Sequence, residues 1–223
     1  MKKGFLLLMI VFILSIYLSL KKKIMTVPTS SYSNYIIFID PGHGGKDDGT
    51  HYEDIFEDEI NLKLSKVLFE MIINEGTTCY LSRVNDYDLS STYSKNHKLE
   101  DLKKRVQYID KMNTSIFVSL HMNYFHNTNV NGMQVFYQKN NEKSHQAAQI
   151  MQNKLNCENS KEKQCKVGDY FILNNTKSPG ILIEYGFLSN EYDRKKILKD
   201  SYLIYLAKII YEGIIEYLNQ NNP

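Results

Sequence analysis

Cysteine is scarce in this sequence, internal repeats and low-complexity blocks are absent, and beyond the first 25 residues basic charge is not in excess. The three cysteines, Cys79, Cys157 and Cys165, are odd in number and show no C-x-x-C spacing, so at least one thiol stays free. Cys79 lies in the apolar run Thr78-Cys79-Tyr80-Leu81 and reads as a core thiol. Cys157 and Cys165 bracket a polar loop that is either closed by a disulfide or flanked by two reduced thiols. Lys2, Lys3, Lys21, Lys22 and Lys23 are five of the 27 basic residues, whereas all 25 acidic residues lie beyond Met25. The remainder therefore carries 22 basic against 25 acidic residues, a formal −3. That balance supplies no dense basic face and argues against nucleic acid as a partner. A phosphate loop is lacking too: Gly45-Lys46 has Asp40 where the first glycine belongs and Asp47 where Ser or Thr belongs.

What is present is a chain of 223 residues, 43% hydrophobic and 12% aromatic, enough for one domain with a substantial core. Gly4 to Leu20 is apolar and uncharged, with two lysines before it and three after. As a helix it spans roughly 25 Å, short of the ~30 Å hydrocarbon core but within reach of a short anchor. A cleavable signal needs a small-residue site, and Ile24-Met25-Thr26-Val27 is a poor one, so an uncleaved anchor is favoured over a signal peptide. Either way the rest is exported, outside the cytoplasm. The expected organisation is an anchor or signal segment over 1–25, a Ser/Thr-rich linker over 26–34, and one domain over 35–223.

Within that domain short apolar runs alternate with helical patterns, which predicts an α/β fold with a mainly parallel, mixed central sheet of about six strands flanked by helices. The candidate strands are Tyr35 to Ile39, Thr78 to Leu81, Ser115 to Leu120, Gln134 to Tyr137, Tyr170 to Leu173 and Gly180 to Glu184. The last pattern, Tyr202 to Leu218, is apolar on most faces and predicts a buried closing helix.

Three of these runs lead into chemically able side chains. Ile36-Ile37-Phe38-Ile39-Asp40-Pro41 runs into Gly42-His43-Gly44-Gly45, and two later runs end in His121 and Glu184. An open α/β sheet gathers groups from its strands' carboxyl ends in one crevice. The helix after the His43 loop begins Glu57-Asp58-Glu59, and its apolar stripe is Ile60, Leu64, Val67, Leu68 and Met71. On a helical wheel Glu57 falls about 20° from Leu64, while Asp58 and Glu59 fall roughly 120° and 140° away. Glu57 is therefore the acid expected to face inward, and a buried carboxylate calls for a cation. Asp58 and Glu59 suit the helix macrodipole. His43, Glu57 and His121 make two imidazoles and one carboxylate, the donor set of many catalytic zinc sites with a fourth position for water. Magnesium and calcium want more oxygens, and non-haem iron wants a cosubstrate pocket that the sequence does not offer. Glu184, following Ile181-Leu182-Ile183 and preceding Tyr185-Gly186-Phe187, suits a general base that passes its proton to a leaving amine. His126, His51, His97 and His145 stand in polar surroundings and read as solvated.

The chain resembles the zinc-dependent N-acetylmuramoyl-L-alanine amidases of bacterial cell walls, from about Tyr35 to its end. The resemblance rests on Ile39-Asp40-Pro41-Gly42-His43-Gly44-Gly45, Glu57 with Asn61-Leu62, Leu81-Ser82-Arg83 with Asp86, and Arg105. It continues through Ser119-Leu120-His121-Met122-Asn123, the segment Gly132 to Tyr137, and Pro179 to Asn190. It departs only where Ile109-Asp110 replaces a frequent Ala-Asn. It implies zinc on the residues matching His43, Glu57 and His121, a catalytic residue matching Glu184, and hydrolysis of the bond between N-acetylmuramic acid and L-alanine in peptidoglycan. Arg83 and Arg105 are expected to be structural, each paired with an acid such as Asp86. No peptidoglycan-binding repeats follow, and too few residues separate Gly49 from Glu57 for an inhibitory insert. That is most like the stand-alone, membrane-anchored amidases of spore cortex maturation and germination, which implies a role in muramic-lactam formation and leaves room for an activating partner protein. A zinc peptidase cutting within the stem peptide, or a silent wall-binding module, are the rival expectations.

Overall fold

The computed structural model describes residues 32–221. The expected anchor or signal segment, 1–25, and residues 26–31 of the expected linker lie outside the described residues. Among the described residues no helix is long and apolar enough to cross a membrane.

In chain order the elements are β1 (Ile36–Pro41), β2 (His51–Tyr52), β3 (Ile55–Phe56), α1 (Glu57–Asn74), β4 (Thr78–Leu81), α2 (His97–Lys111) and β5 (Ile116–Asn123). There follow β6 (Gln134–Tyr137), α3 (Glu142–Leu155), β7 (Lys166–Val167), α4 (Phe171–Asn175), β8 (Gly180–Phe187), α5 (Glu191–Ile197) and α6 (Asp200–Gln220). The main sheet has six strands in the order β4-β1-β5-β8-β6-β7, and β2 with β3 makes a separate hairpin. β4, β1, β5 and β8 run parallel, β6 pairs antiparallel with β8, and β7 runs parallel to β6. The expected mixed, mainly parallel α/β sheet is thus the one observed.

Strand alternation divides the core in two. Ile37, Ile39, Ile116, Val118, Leu120, Ile181 and Ile183 face a large cluster completed by α1, α3 and α6. Phe38, Phe117 and Leu182 face a smaller one with Ile109 of α2 and Ile172 and Leu173 of α4. All eight residues of β8 are buried, as befits a strand covered on both faces. Each fully buried aliphatic side chain contributes roughly 1.5–3 kcal/mol. α6 packs on α1 and α3 with Leu203, Leu206, Ile210 and Ile214, yet Ile204 and Tyr205 on its outer side are exposed. It is amphipathic rather than buried on most faces.

One expected strand is a helix. Tyr170 to Leu173 was too short an apolar run to carry a period, and Asn174 N and Thr176 N bond the carbonyls of Tyr170 and Ile172, closing helical turns. The sixth strand is instead Lys166–Val167, an exposed edge of two residues. β5 and β8 also run further than expected, so His121 and Glu184 lie inside their strands, near the carboxyl ends.

The chain leaves β1 for β4 on one side and returns to β5 on the other. The strand order therefore reverses between β1 and β5, where an open sheet forms its crevice.

Candidate metal centre

The crevice is built on a buried polar base. Asp40, at the end of β1, accepts hydrogen bonds from Ser82 Oγ (2.6 Å), Ser119 Oγ (2.7 Å) and Arg105 Nη1 (2.7 Å). Burial pushes its carboxyl up, but Arg105 and the two hydroxyls outweigh burial and bring it down to about 2. Arg105 also donates to Asp101 Oδ2 (2.8 Å), to the Pro41 carbonyl (2.7 Å) and to the His43 carbonyl (2.6 Å). Arg83 donates to the carbonyls of Pro41 (3.2 Å), Gly42 (3.0 Å), Asp58 (2.7 Å) and Asn85 (3.2 Å). Both arginines are structural, as expected, but neither salt-bridges Asp86, which accepts from Gly45 N at 2.6 Å. Together they fix three successive carbonyls and hold His43 at φ 61°, a left-handed conformation rare for a residue with a side chain.

On this base stand the expected ligands. Glu57 opens α1 with its side chain buried, and Oε1 lies 3.3 Å from His43 Nε2 and 3.1 Å from His121 Nδ1. The two rings meet edge to face, centroids 4.9 Å apart. Among the described residues these three form the group of His, Cys, Asp and Glu side chains placed to hold an ion, with all three ligand atoms within 4.8 Å of one another. Two ligand atoms on a tetrahedral zinc at ~2.0–2.1 Å lie about 3.3 Å apart, so the contacts to Glu57 match two edges of such a site. Glu57 is further held by Thr50 N (2.8 Å) on Oε2, and by Met122 N (3.0 Å) and Asn61 Nδ2 (3.2 Å) on Oε1. Burial raises its pKa, but the two histidines win and hold it well below the usual carboxylate range. Gly42 has its own part here, because a Cβ there would come 2.2 Å from the His121 ring.

Asp47 completes the arrangement: its Oδ2 lies 3.0 Å from His43 Nδ1, leaving Nε2 to face Glu57. Carboxylates in this position fix the tautomer and orientation of metal-ligating imidazoles. Against the effect of burial, Asp47 and Glu57 push the His43 pKa up to about 9.

Glu184 faces His121 directly across the β5–β8 pairing. It is 6% exposed; Tyr170 Oη donates to its Oε1 at 3.2 Å, and its buried Oε2 has no hydrogen-bond partner. Burial pushes the carboxyl up to about 7, with Glu57 adding to the rise and His121 and Tyr170 opposing it.

The fold therefore brings His43, Glu57, His121 and Glu184 to one strand edge. Asp58 departs from expectation: it too is buried, and its carboxyl is pushed up to about 6 by desolvation. Asp47 and Tyr170 are the site residues that sequence reasoning missed. An Asp four residues after a loop His was a usable signal, whereas Tyr170 was hidden in a run read as a strand. His126 is exposed beside Tyr124, His97 contacts Ser90 Oγ (2.6 Å) and Lys46 Nζ (3.0 Å), and His145 stacks on Tyr137; none joins the metal group. All three cysteines are free, so Cys157 and Cys165 form no bridge.

Two imidazoles and a carboxylate at the switch point of a mostly parallel α/β sheet, beside a buried acid, define the class: a hydrolase fold with a candidate metal centre. The chain belongs to the N-acetylmuramoyl-L-alanine amidase family, whose profile matches residues 37–216, and peptidoglycan is its substrate class. The germination-specific N-acetylmuramoyl-L-alanine amidase of Bacillus subtilis (strain 168) is 31% identical over 193 residues, 84% of this chain and 81% of that protein. The CwlD amidase from Clostridioides difficile, solved in complex with the GerS lipoprotein, matches with a TM-score of 0.79 at 33% identity, covering 83% of this chain and 99% of that one. An N-acetylmuramoyl-L-alanine amidase from Clostridium difficile 630 matches with a TM-score of 0.74 at 28% identity, covering 83% and 97%.

Proposed function

We propose that this chain is a zinc-dependent hydrolase of the amide between N-acetylmuramic acid and L-alanine, with His43, Glu57 and His121 holding the ion and Glu184 as the catalytic residue. The observation that carries it is the placement of two imidazole nitrogens around Glu57 Oε1, beside the unpartnered Oε2 of Glu184. When bound, zinc acts as a Lewis acid on the scissile carbonyl and activates the attacking water. Glu184 takes the proton of that water at Oε2 and hands it to the amine of L-alanine as the C–N bond breaks, leaving a lactyl carboxylate and a free stem peptide. Tyr170 keeps Oε1 occupied, so that Oε2 is the oxygen that moves the proton. A carboxyl raised toward neutrality is matched to this exchange near pH 7. Asp47 keeps His43 turned toward the ion.

The setting we infer is spore cortex maturation, where this cut would prepare muramic-lactam formation; the similarity to an amidase described as germination-specific supports that setting. The domain over 35–223 would act outside the cytoplasm, held to the membrane by residues 1–25. An activating partner protein belongs to the same reading, since the CwlD relative was solved with a lipoprotein. Metal analysis with a turnover assay tests it. His43→Ala and His121→Ala should lose zinc, whereas Glu184→Ala should keep zinc and lose turnover. Near-normal hydrolysis by Glu184→Ala, or full zinc in the histidine variants, would refute it.

A further inference from the structure

A cleft of about 550 Å³ lies among segments that follow strands of the main sheet. One wall is Tyr52 of the β2–β3 hairpin, a second is Thr128 and Asn129 after β5, and a third is the stretch from Ser189 to Lys195 after β8. These segments follow β1, β5 and β8 in the chain, the strands that deliver His43, His121 and Glu184. Ligands of open α/β sheets bind in the crevice beyond the strands' carboxyl ends. The walls are joined: Asn190 Nδ2 donates to the Thr128 carbonyl at 2.6 Å, and Phe125 N donates to Ser189 Oγ at 3.0 Å.

The cleft presents one prearranged cation. The Arg194 guanidinium lies over the Tyr52 ring, 3.5 Å from its centroid, and Nη1 is anchored on the Leu188 carbonyl at 2.6 Å. Stacking removes the rotamer freedom that binding would otherwise have to freeze. Lys195, beside it, is paired with Glu191, whereas Arg194 makes no salt bridge with a carboxylate among the described residues. Its remaining N–H donors form a planar fork matched to a carboxylate.

We propose that this cleft is the subsite for the stem peptide, with Arg194 receiving the carboxy-terminal carboxylate of that peptide; this rests on the amidase reading above. Reach fits the assignment. Ser189 stands five residues beyond Glu184, at most about 17 Å along the chain, a span that an extended peptide of about five residues covers.

The test is calorimetric binding to the full chain in detergent, with an L-alanyl pentapeptide as free acid and as carboxy-terminal amide. This peptide is the proposed reaction's product and is not hydrolysed. The intact chain should bind the acid roughly tenfold more tightly than the amide. Arg194→Gln should erase that preference and leave binding of the amide unchanged. Equal binding of both peptides by the intact chain, or binding of neither, overturns the subsite whether or not the variant folds. So does Arg194→Gln retaining the preference, or weakening both peptides alike, the mark of a mere tether between hairpin and α5. None of these outcomes depends on turnover, so failure of the subsite and failure of the amidase reading are told apart.

Discussion

His121 and Glu184 are register partners on the adjacent parallel strands β5 and β8, so one pairing sets a metal-type ligand and a buried acid side by side. Their shared face also receives Tyr170, which occupies one oxygen of Glu184 and leaves the other without a hydrogen-bond partner. This relationship leads to a pH prediction. The base role proposed for Glu184 requires its deprotonated form, and its pKa is raised to about 7, so kcat/KM should fall as pH drops below neutrality. Bound zinc would draw that limb lower. The Tyr170 hydroxyl favours the carboxylate, so Tyr170→Phe should move the limb to higher pH and lower kcat while the thermal melt stays close to that of the parent. A limb that does not move would show that Tyr170 only packs.

Asp47 is expected to set metal affinity without touching the ion. Competition with a chelator should show Asp47→Ala binding zinc about 10–100-fold more weakly, with Asp47→Asn in between. Unchanged affinity in both variants would show that His43 is oriented by its backbone alone.

The base beneath the site should be visible in stability against pH. The Asp40 carboxyl is depressed from 3.8 to about 2, so its contribution is complete above 3.8 and lost as pH falls through about 2. A shift of that size corresponds to roughly 2 kcal/mol. Asp40→Asn removes one partner of a buried pair and should cost about 3–5 kcal/mol at pH 7, because Arg105 stays buried. Urea unfolding at pH 7 and pH 2.5 should show the gap between parent and variant narrowing in acid; a constant gap would contradict the assignment.

Thiol labelling should separate the cysteines. Cys157 is exposed, while burial pushes the Cys79 thiol up to about 12. Cys157 should react first, Cys165 more slowly, and Cys79 only on unfolding. A mass lower by two hydrogens without reductant would reveal a bridge that the fold does not contain.

The sequence made Glu57 legible because helical geometry is regular: one residue of three acids lay on the apolar stripe. His121 and Glu184 were legible because a polar residue in a strand buried on both faces has few uses. Asp58 was not, since the segments against it, with Arg83 donating to its carbonyl and its own N–H donating to the Asp48 carbonyl, are brought there by the fold. Tyr170 was not, because a four-residue apolar run fits a strand or one helical turn equally, and only packing on Phe117 and Leu182 decides. Arg83 is structural, but its partners are backbone carbonyls, which no side-chain pattern announces.

The most direct test of the central claim is mass analysis of peptidoglycan digested by the full chain, stripped of metal and then resupplied with zinc. Intact stem peptides beginning at L-alanine should appear only after zinc is restored. Peptides shortened from within, or intact peptides released equally well by the stripped enzyme, would contradict the account.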